Sequence, residues 1–91
     1  MSVLIRFNPA ALTAEQYDGT ISTLDGQGNW PPDGLDLHVC FGSDGSLKVS
    51  EIWDSREQLE AFGERLMPVL AEAGIDPGQP EIIEIHNVIK R

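Results

Sequence analysis

Apolar positions recur along the chain with two periods, and the switches between them divide it into six elements. Val3, Ile5 and Phe7 alternate with Leu4, Arg6 and Asn8, which predicts a strand over 3–7 that Pro9 stops. Thr13 and Gln16 have capping-box spacing, and Ala14, Tyr17, Ile21 and Leu24 follow as one helical stripe. Gly19 weakens that helix by about 1 kcal/mol relative to alanine, so it depends on packing. Residues 25–34, DGQGNWPPDG, read as a loop in which Pro31 and Pro32 favour an extended course. Trp30 there either caps the edge of the core or closes over a pocket. Leu35, Leu37, Val39 and Phe41 then alternate with Asp36, His38, Cys40 and Gly42. Asp44-Gly45 is a hairpin signal, and residues 47–53 form the returning strand. Ser55 and Gln58 cap a second helix with the stripe Leu59, Phe62, Leu66, Val69, Leu70 and Ala73. Pro68 removes a donor and crowds the carbonyl of Glu64, which predicts a kink or break, and Gly74 ends the helix. After the turn-rich segment 75–80, residues 81–89 read as the last strand.

The order β-α-β-β-α-β specifies a ferredoxin-like α+β fold over a single domain, 1–91. Four antiparallel strands carry both helices on one face, with the first and third strands central. A two-residue turn at Asp44-Gly45 sets Cys40 opposite Val49, His38 opposite Glu51 and Asp36 opposite Trp53. The other face then pairs Phe41 with Lys48, Val39 with Ser50 and Leu37 with Ile52. The regular apolar set Leu35, Leu37, Val39 and Phe41 is expected under the helices. That puts His38, Cys40, Glu51 and Trp53 on the open face, joined by Arg6, Glu84 and His86 through the same alternation. The expected open face mixes apolar and ionisable groups. Such a mixture suits a homodimer joined through the open sheet face, around a partly polar cavity for a small-molecule ligand. A bulge or a one-residue slip would change the face assignment.

Size and charge narrow the partners. A chain of 91 residues buries only about 60–65% of the surface its unfolded form exposes, so a second copy on the sheet would help it. Six basic residues against fifteen acidic ones give a formal charge of −9, which argues against nucleic acid and anionic membranes. No stretch approaches the roughly 20 apolar residues of a membrane helix. The opening MSVLIRFNPAAL is too short and too interrupted for a signal peptide, so a cytoplasmic location is expected. The one cysteine, Cys40, allows no internal disulfide and no cysteine-rich zinc site.

Among candidate chemical groups, the cross-strand pair His38 and Glu51 stands first. A carboxylate beside an imidazole fixes its tautomer and builds a general acid or base; the same pair also serves as a self-satisfying polar contact. His86 and Glu84 fall on the opposite edge of the sheet, about 14 Å from His38 within one chain. Their spacing carries no metal-ligand motif, and no metal is expected. Arg6 either holds a carboxylate or enolate oxygen or pairs with Glu84. Cys40 lacks a nucleophile motif and reads as a small packing residue beside the ligand. Gly26-Gln27-Gly28 follows a helix rather than a strand and lacks a third glycine, so no nucleotide or flavin cofactor is implied.

The element order, Gly34-Leu35 at the start of the second strand, the Asp-Gly hairpin and the run Ile52-Trp53-Asp54-Ser55 into the second helix, with Phe62 and Leu66-Met67-Pro68, carry a resemblance. The sequence resembles the dimeric α/β-barrel superfamily, which includes antibiotic-biosynthesis-monooxygenase-like domains. The resemblance implies two sheets facing each other in a homodimer, and a cavity with Trp53 near it. Members include cofactor-independent oxygenases, haem-degrading enzymes, polyketide cyclases and isomerases. The haem-degrading members carry a ligating histidine on the second helix, and this second helix has none. Asn8 matches a first-strand asparagine of those enzymes and is equally a strand terminator before Pro9.

Two functions are therefore expected alternatives. One is a cofactor-independent oxygenase, cyclase or isomerase acting on an apolar or aromatic metabolite. In it His38 and Glu51 move a proton, Arg6 or His86 steadies negative charge, and Trp53 and Cys40 border the substrate. The other is a non-catalytic ligand-binding or accessory protein in which these residues are structural.

Overall fold

The computed structural model describes residues 1–91. Six elements follow in the expected order: β1 (Val3–Phe7), α1 (Ala14–Gln27), β2 (Leu35–Phe41), β3 (Lys48–Trp53), α2 (Arg56–Glu72) and β4 (Glu81–Glu84). All strand pairs are antiparallel and the sheet order is β2-β3-β1-β4, a ferredoxin-like α+β fold with β1 and β3 central. No helix is long and apolar enough to cross a membrane.

Local chemistry accounts for the helix ends. Thr13 accepts from the Gln16 amide while Gln16 Oε1 accepts from the Thr13 amide, a complete capping box. Ser55 accepts from the Gln58 amide in the same way, but the Gln58 side chain meets the Ser55 hydroxyl instead of its amide. At the other end of α2, the Gly74 amide reaches the Ala71 carbonyl and the Ile75 amide reaches Leu70, a Schellman motif with Gly74 at φ +74°. The hairpin is docked on α1: Asp44 Oδ1 accepts from the first helical amide, Ala14, at 2.8 Å, and the Leu47 amide donates to Leu12. A carboxylate at that helix terminus is also favoured by the helix dipole.

Four features depart from the sequence reading. The first helix extends through Gln27, past the expected loop start, because Arg65 of α2 serves its C-terminal end. The Arg65 guanidinium donates to the carbonyls of Leu24, Gly28 and Asn29 and to the Gln27 side chain. The second helix continues through Pro68 to Glu72. Pro68 is exposed while Val69 and Leu70 beside it are buried, so packing on the core side sustains the helix. The last strand ends at Glu84 rather than residue 89, although the Ile85 amide still bonds to the Ser2 carbonyl.

The fourth departure is the largest. The hairpin register is as counted for His38–Glu51, Val39–Ser50, Cys40–Val49 and Phe41–Lys48, but a bulge between Leu35 and Leu37 pairs Leu35, not Asp36, with Trp53. In β2, β3 and β4 the helix-covered face is the one expected to be open, while β1 keeps its expected sides, with Val3, Ile5 and Phe7 under the helices and Leu4 and Arg6 outside. The rows of the covered face run Leu35–Trp53–Val3–Glu84, His38–Glu51–Ile5–Ile82 and Cys40–Val49–Phe7. Trp53 is fully buried and sits in one core with Val3, Ile5, Leu24, Leu59, Phe62 and Val69. Leu37, Val39 and Phe41 lie on the open face with Leu4, Arg6, Ile52 and Ile83, and are 49%, 43% and 47% exposed. The central strand decides this. Val49 and Trp53 must share a side with Val3, Ile5 and Phe7, and that side carries the helices.

Candidate functional site

Inverting the faces puts the polar cross-strand pair against the helices. His38 projects from the edge strand β2 and Glu51 from the central strand β3, toward the Tyr17 side of α1. The His38 Nδ1 lies 2.6 Å from Glu51 Oε2, and the His38 Nε2 lies 2.7 Å from the Tyr17 hydroxyl. Glu51 Oε1 in turn accepts from the Trp53 indole at 2.9 Å. Four side chains thus form one unbroken chain of hydrogen bonds, Tyr17–His38–Glu51–Trp53. Glu51 is only 3% exposed, and both its oxygens are satisfied.

The proton positions follow from the partners. The indole only donates, so Glu51 Oε1 accepts; a carboxylate Oε2 also accepts, which puts the imidazole proton on Nδ1. In the neutral form of the ring Nε2 offers a lone pair, and the Tyr17 hydroxyl donates to it. The Tyr17 and His38 rings also stack, with centroids 5.9 Å apart.

Tyr17, His38 and Glu51 of this network border a cavity of about 70 Å³ between the sheet and the two helices. Its walls are mostly apolar, from Phe7, Leu12, Ile21, Phe62, Leu66 and Leu70. Tyr17, His38, Glu51 and Thr20 supply its polar side chains, and the Thr20 hydroxyl is occupied by the Gln16 carbonyl. Trp30 folds back from the loop after α1 and lines the cavity. Its ring lies 6.0 Å from Phe62 and 6.0 Å, edge-on, from His38. Arg65, which ties down Asn29 and Gly28 just before Trp30, also stands over the Phe62 ring. No three His, Cys, Asp or Glu side chains converge as a metal site would require.

The other residues singled out in the sequence are dispersed. Trp53 touches Glu51 but lies behind the cavity wall, in the core. Cys40 is half-buried one row beyond His38, outside the cavity lining. Arg6 is exposed on the opposite face, beside Ser50 and Glu81 rather than Glu84. Glu84 pairs with Val3, and His86 is exposed beyond the end of β4. Tyr17 and Trp30 take the positions near His38 that Arg6 and Trp53 were expected to fill. Tyr17 passed as one more member of an apolar helix stripe; its hydroxyl on a core-facing position was the available signal, because a buried phenol needs a partner.

Burial pushes the Tyr17 phenol above its ordinary value, with the charges of Cys40, Glu51 and Asp18 adding to it. Burial, and then Asp18, raises the Cys40 thiol likewise. Both groups ionise first in the unfolded chain, so the unfolded state binds fewer protons at alkaline pH and stability falls as pH rises. Thermal unfolding should show an unchanged contribution below about pH 8 and a decline above it, first from Cys40 and then from Tyr17. The Tyr17→Phe/Cys40→Ala double variant should decline less steeply; an equal slope would show that neither group is linked to folding.

No family model and no curated protein matches the chain. Solved structures do match in fold. A Deinococcus radiodurans protein described provisionally as an antibiotic biosynthesis monooxygenase superposes with a TM-score of 0.63 at 13% identity, over 100% of this chain and 98% of that one. Rv0793 from Mycobacterium tuberculosis gives 0.63 at 15% identity, over 98% and 97%. A Chloroflexus aurantiacus J-10-fl protein, also described provisionally as an antibiotic biosynthesis monooxygenase, gives 0.54 at 17% identity, over 96% and 94%. The chain therefore has the ferredoxin-like fold of antibiotic-biosynthesis-monooxygenase-like structures along nearly its whole length.

Proposed function

We propose that the chain is a small-molecule-binding protein whose cavity between sheet and helices widens to take an apolar or aromatic metabolite, since a benzene-sized guest needs about 150 Å³, and that His38 and Glu51 serve there as a proton-transfer pair. The reaction class is a cofactor-independent one: oxygenation, cyclisation or isomerisation. The observation that carries this reading is the hydrogen-bonded chain Tyr17–His38–Glu51–Trp53 along the wall of an otherwise apolar cavity. A dry wall with one oriented imidazole suits proton transfer to or from an apolar molecule. The proposed site lies within one chain. The open sheet face is left to pair with a second copy, so the homodimer and the cavity are separate features of this reading. Arg6 belongs to that interface, and the cavity chemistry runs without Arg6 or His86.

One observation favours a non-catalytic alternative. Both nitrogens of His38 and both oxygens of Glu51 already have partners within the cluster, as in a purely structural polar network. In that case the protein holds a ligand without transforming it.

Trp30 lines the cavity and Trp53 does not, which separates their signals. Small substituted benzenes should quench tryptophan emission, and Trp30→Phe should remove most of the response while the emission of Trp53 persists. A varied aromatic panel that leaves wild-type emission unchanged would refute the ligand cavity.

A further inference from the structure

We infer that the Tyr17 hydroxyl is the group that exchanges a proton with the bound ligand, with His38 and Glu51 acting through it. The inference rests on the ligand cavity proposed above and changes which atom meets the ligand. His38 has two ring nitrogens, and both are engaged: Nδ1 with Glu51 at 2.6 Å and Nε2 with Tyr17 at 2.7 Å. No nitrogen remains for a ligand. Each oxygen of the Glu51 carboxylate is engaged, one by His38 and one by Trp53, and the group is almost fully enclosed. The Tyr17 hydroxyl makes one hydrogen bond only, to His38, and a phenolic oxygen that donates once still accepts. Tyr17 is half-buried and lines the cavity, whereas Glu51 is enclosed, so the second lone pair of Tyr17 is the more accessible acceptor of the cluster for a molecule bound there.

That lone pair selects a ligand carrying a hydroxyl or N–H on an apolar body. The ligand donates to Tyr17 Oη, which donates to His38 Nε2. Transfer then runs in one concerted direction. The ligand's O–H or N–H bond breaks as a new O–H bond forms on Tyr17, and the original Tyr17 O–H bond breaks as an N–H bond forms at His38 Nε2. The products are the ligand anion, a neutral Tyr17 and an imidazolium held by the Glu51 carboxylate. One negative charge is present before and after, once the new imidazolium is counted, and no oxidant or cofactor enters. The tyrosine never carries the charge itself, which suits a phenol whose ionisation burial opposes. Trp53 has a positioning role: by holding Glu51 Oε1 it turns Oε2 toward Nδ1 and keeps the lone pair of Nε2 directed at Tyr17.

Two probes of the same shape test this: 4-nitrophenol, which carries an acidic hydroxyl, and 4-nitrotoluene, which has a methyl group there. Binding is measured by calorimetry and ionisation by the yellow nitrophenolate band, at a pH where the free probe is mostly colourless. Wild-type protein should bind the phenol about tenfold more tightly than the toluene, the effect of one hydrogen bond, and should turn it yellow. Tyr17→Phe keeps the ring and should lose both the tenfold preference and the colour while still binding the toluene. His38→Gln gives Tyr17 an acceptor that is not a base and should also abolish the colour. A Tyr17→Phe protein that ionises the phenol as the wild type does would overturn the role of Tyr17 and leave the cavity standing. Tight but colourless wild-type binding, or colour that survives in His38→Gln, would overturn the proton path. Failure of wild type to bind either probe would overturn the cavity reading and this inference with it.

Discussion

Glu51→Ala is expected to destabilise the fold by about 3–5 kcal/mol, because two donors are left without an acceptor at about 1–3 kcal/mol each. Glu51 sits on a central strand, almost fully enclosed, and is the acceptor for two neighbours. Removing it strands the indole N–H of Trp53, a side chain with no exposed surface, and leaves the His38 Nδ1 without its partner. Domains of this kind are stable by only about 5–15 kcal/mol, and each kcal/mol moves the melting point by about 4–8 °C, so calorimetry should record a fall of more than about 10 °C. Glu51→Gln separates structure from chemistry. Its amide oxygen still accepts from Trp53, but its NH₂ group faces Nδ1, which must then accept. The imidazole proton moves to Nε2, Tyr17 becomes an acceptor, and the relay points the other way. The glutamine variant should therefore melt closer to wild type while ¹⁵N spectra report the opposite His38 tautomer. An alanine variant that melts within about 2 °C of wild type would mean that the network carries no weight in folding.

The same network shows how far the sequence reached. Element order, the Thr13 capping box, the Asp44-Gly45 turn and the His38–Glu51 register are all set by neighbours a few residues apart, and they were legible. Which face the helices cover was not, because the two halves of the hairpin point to opposite answers. In β2, Leu37, Val39 and Phe41 form a more regular apolar set than His38 and Cys40. In β3, Val49 and Trp53 oppose Lys48 and Ser50. An edge strand has less to bury than a central one, so the pattern of β3 governs. The bulge at Asp36 lets Leu35 join Trp53 in the core while the next three apolar residues face outward. Tyr17 was hidden for a related reason: nothing within a few residues of it reveals a histidine 21 positions away. Long-range contacts also explain the extra turn of α1, which Arg65 completes from a second helix. Arg6 keeps its expected side, on the open face, while His38 and Glu51 turn to the helix side, and that alone separates them.

In the dimer proposed above, Leu37→Glu should yield a monomer without emptying the cavity. On the open face, Leu37, Ile52, Leu4 and Ile83 form one aliphatic row across all four strands. Leu37 and Ile83 at its ends are 49% and 45% exposed, an unusual amount of aligned apolar surface for a lone soluble domain. The adjacent row, Val39–Ser50–Arg6–Glu81, holds one cation and one anion. A two-fold axis through such a face brings the aliphatic row against its own copy, and Arg6 of each chain toward Glu81 of the other. Both rows support the proposed second copy on this face, and a chain of this size gains from the added burial. Leu37 lies on an edge strand and is half-exposed, so glutamate there costs the folded monomer little. At the interface it would bury two unpaired like charges, at several kcal/mol each. Sedimentation at micromolar concentration should give twice the 10.0 kDa chain mass for wild type and the single chain mass for the variant. Because Tyr17, His38, Glu51 and Trp30 all come from one chain, the monomeric variant should still bind 4-nitrotoluene. A wild-type protein that sediments as a monomer would refute the second copy. A monomeric variant that no longer binds would show that the cavity needs the partner after all.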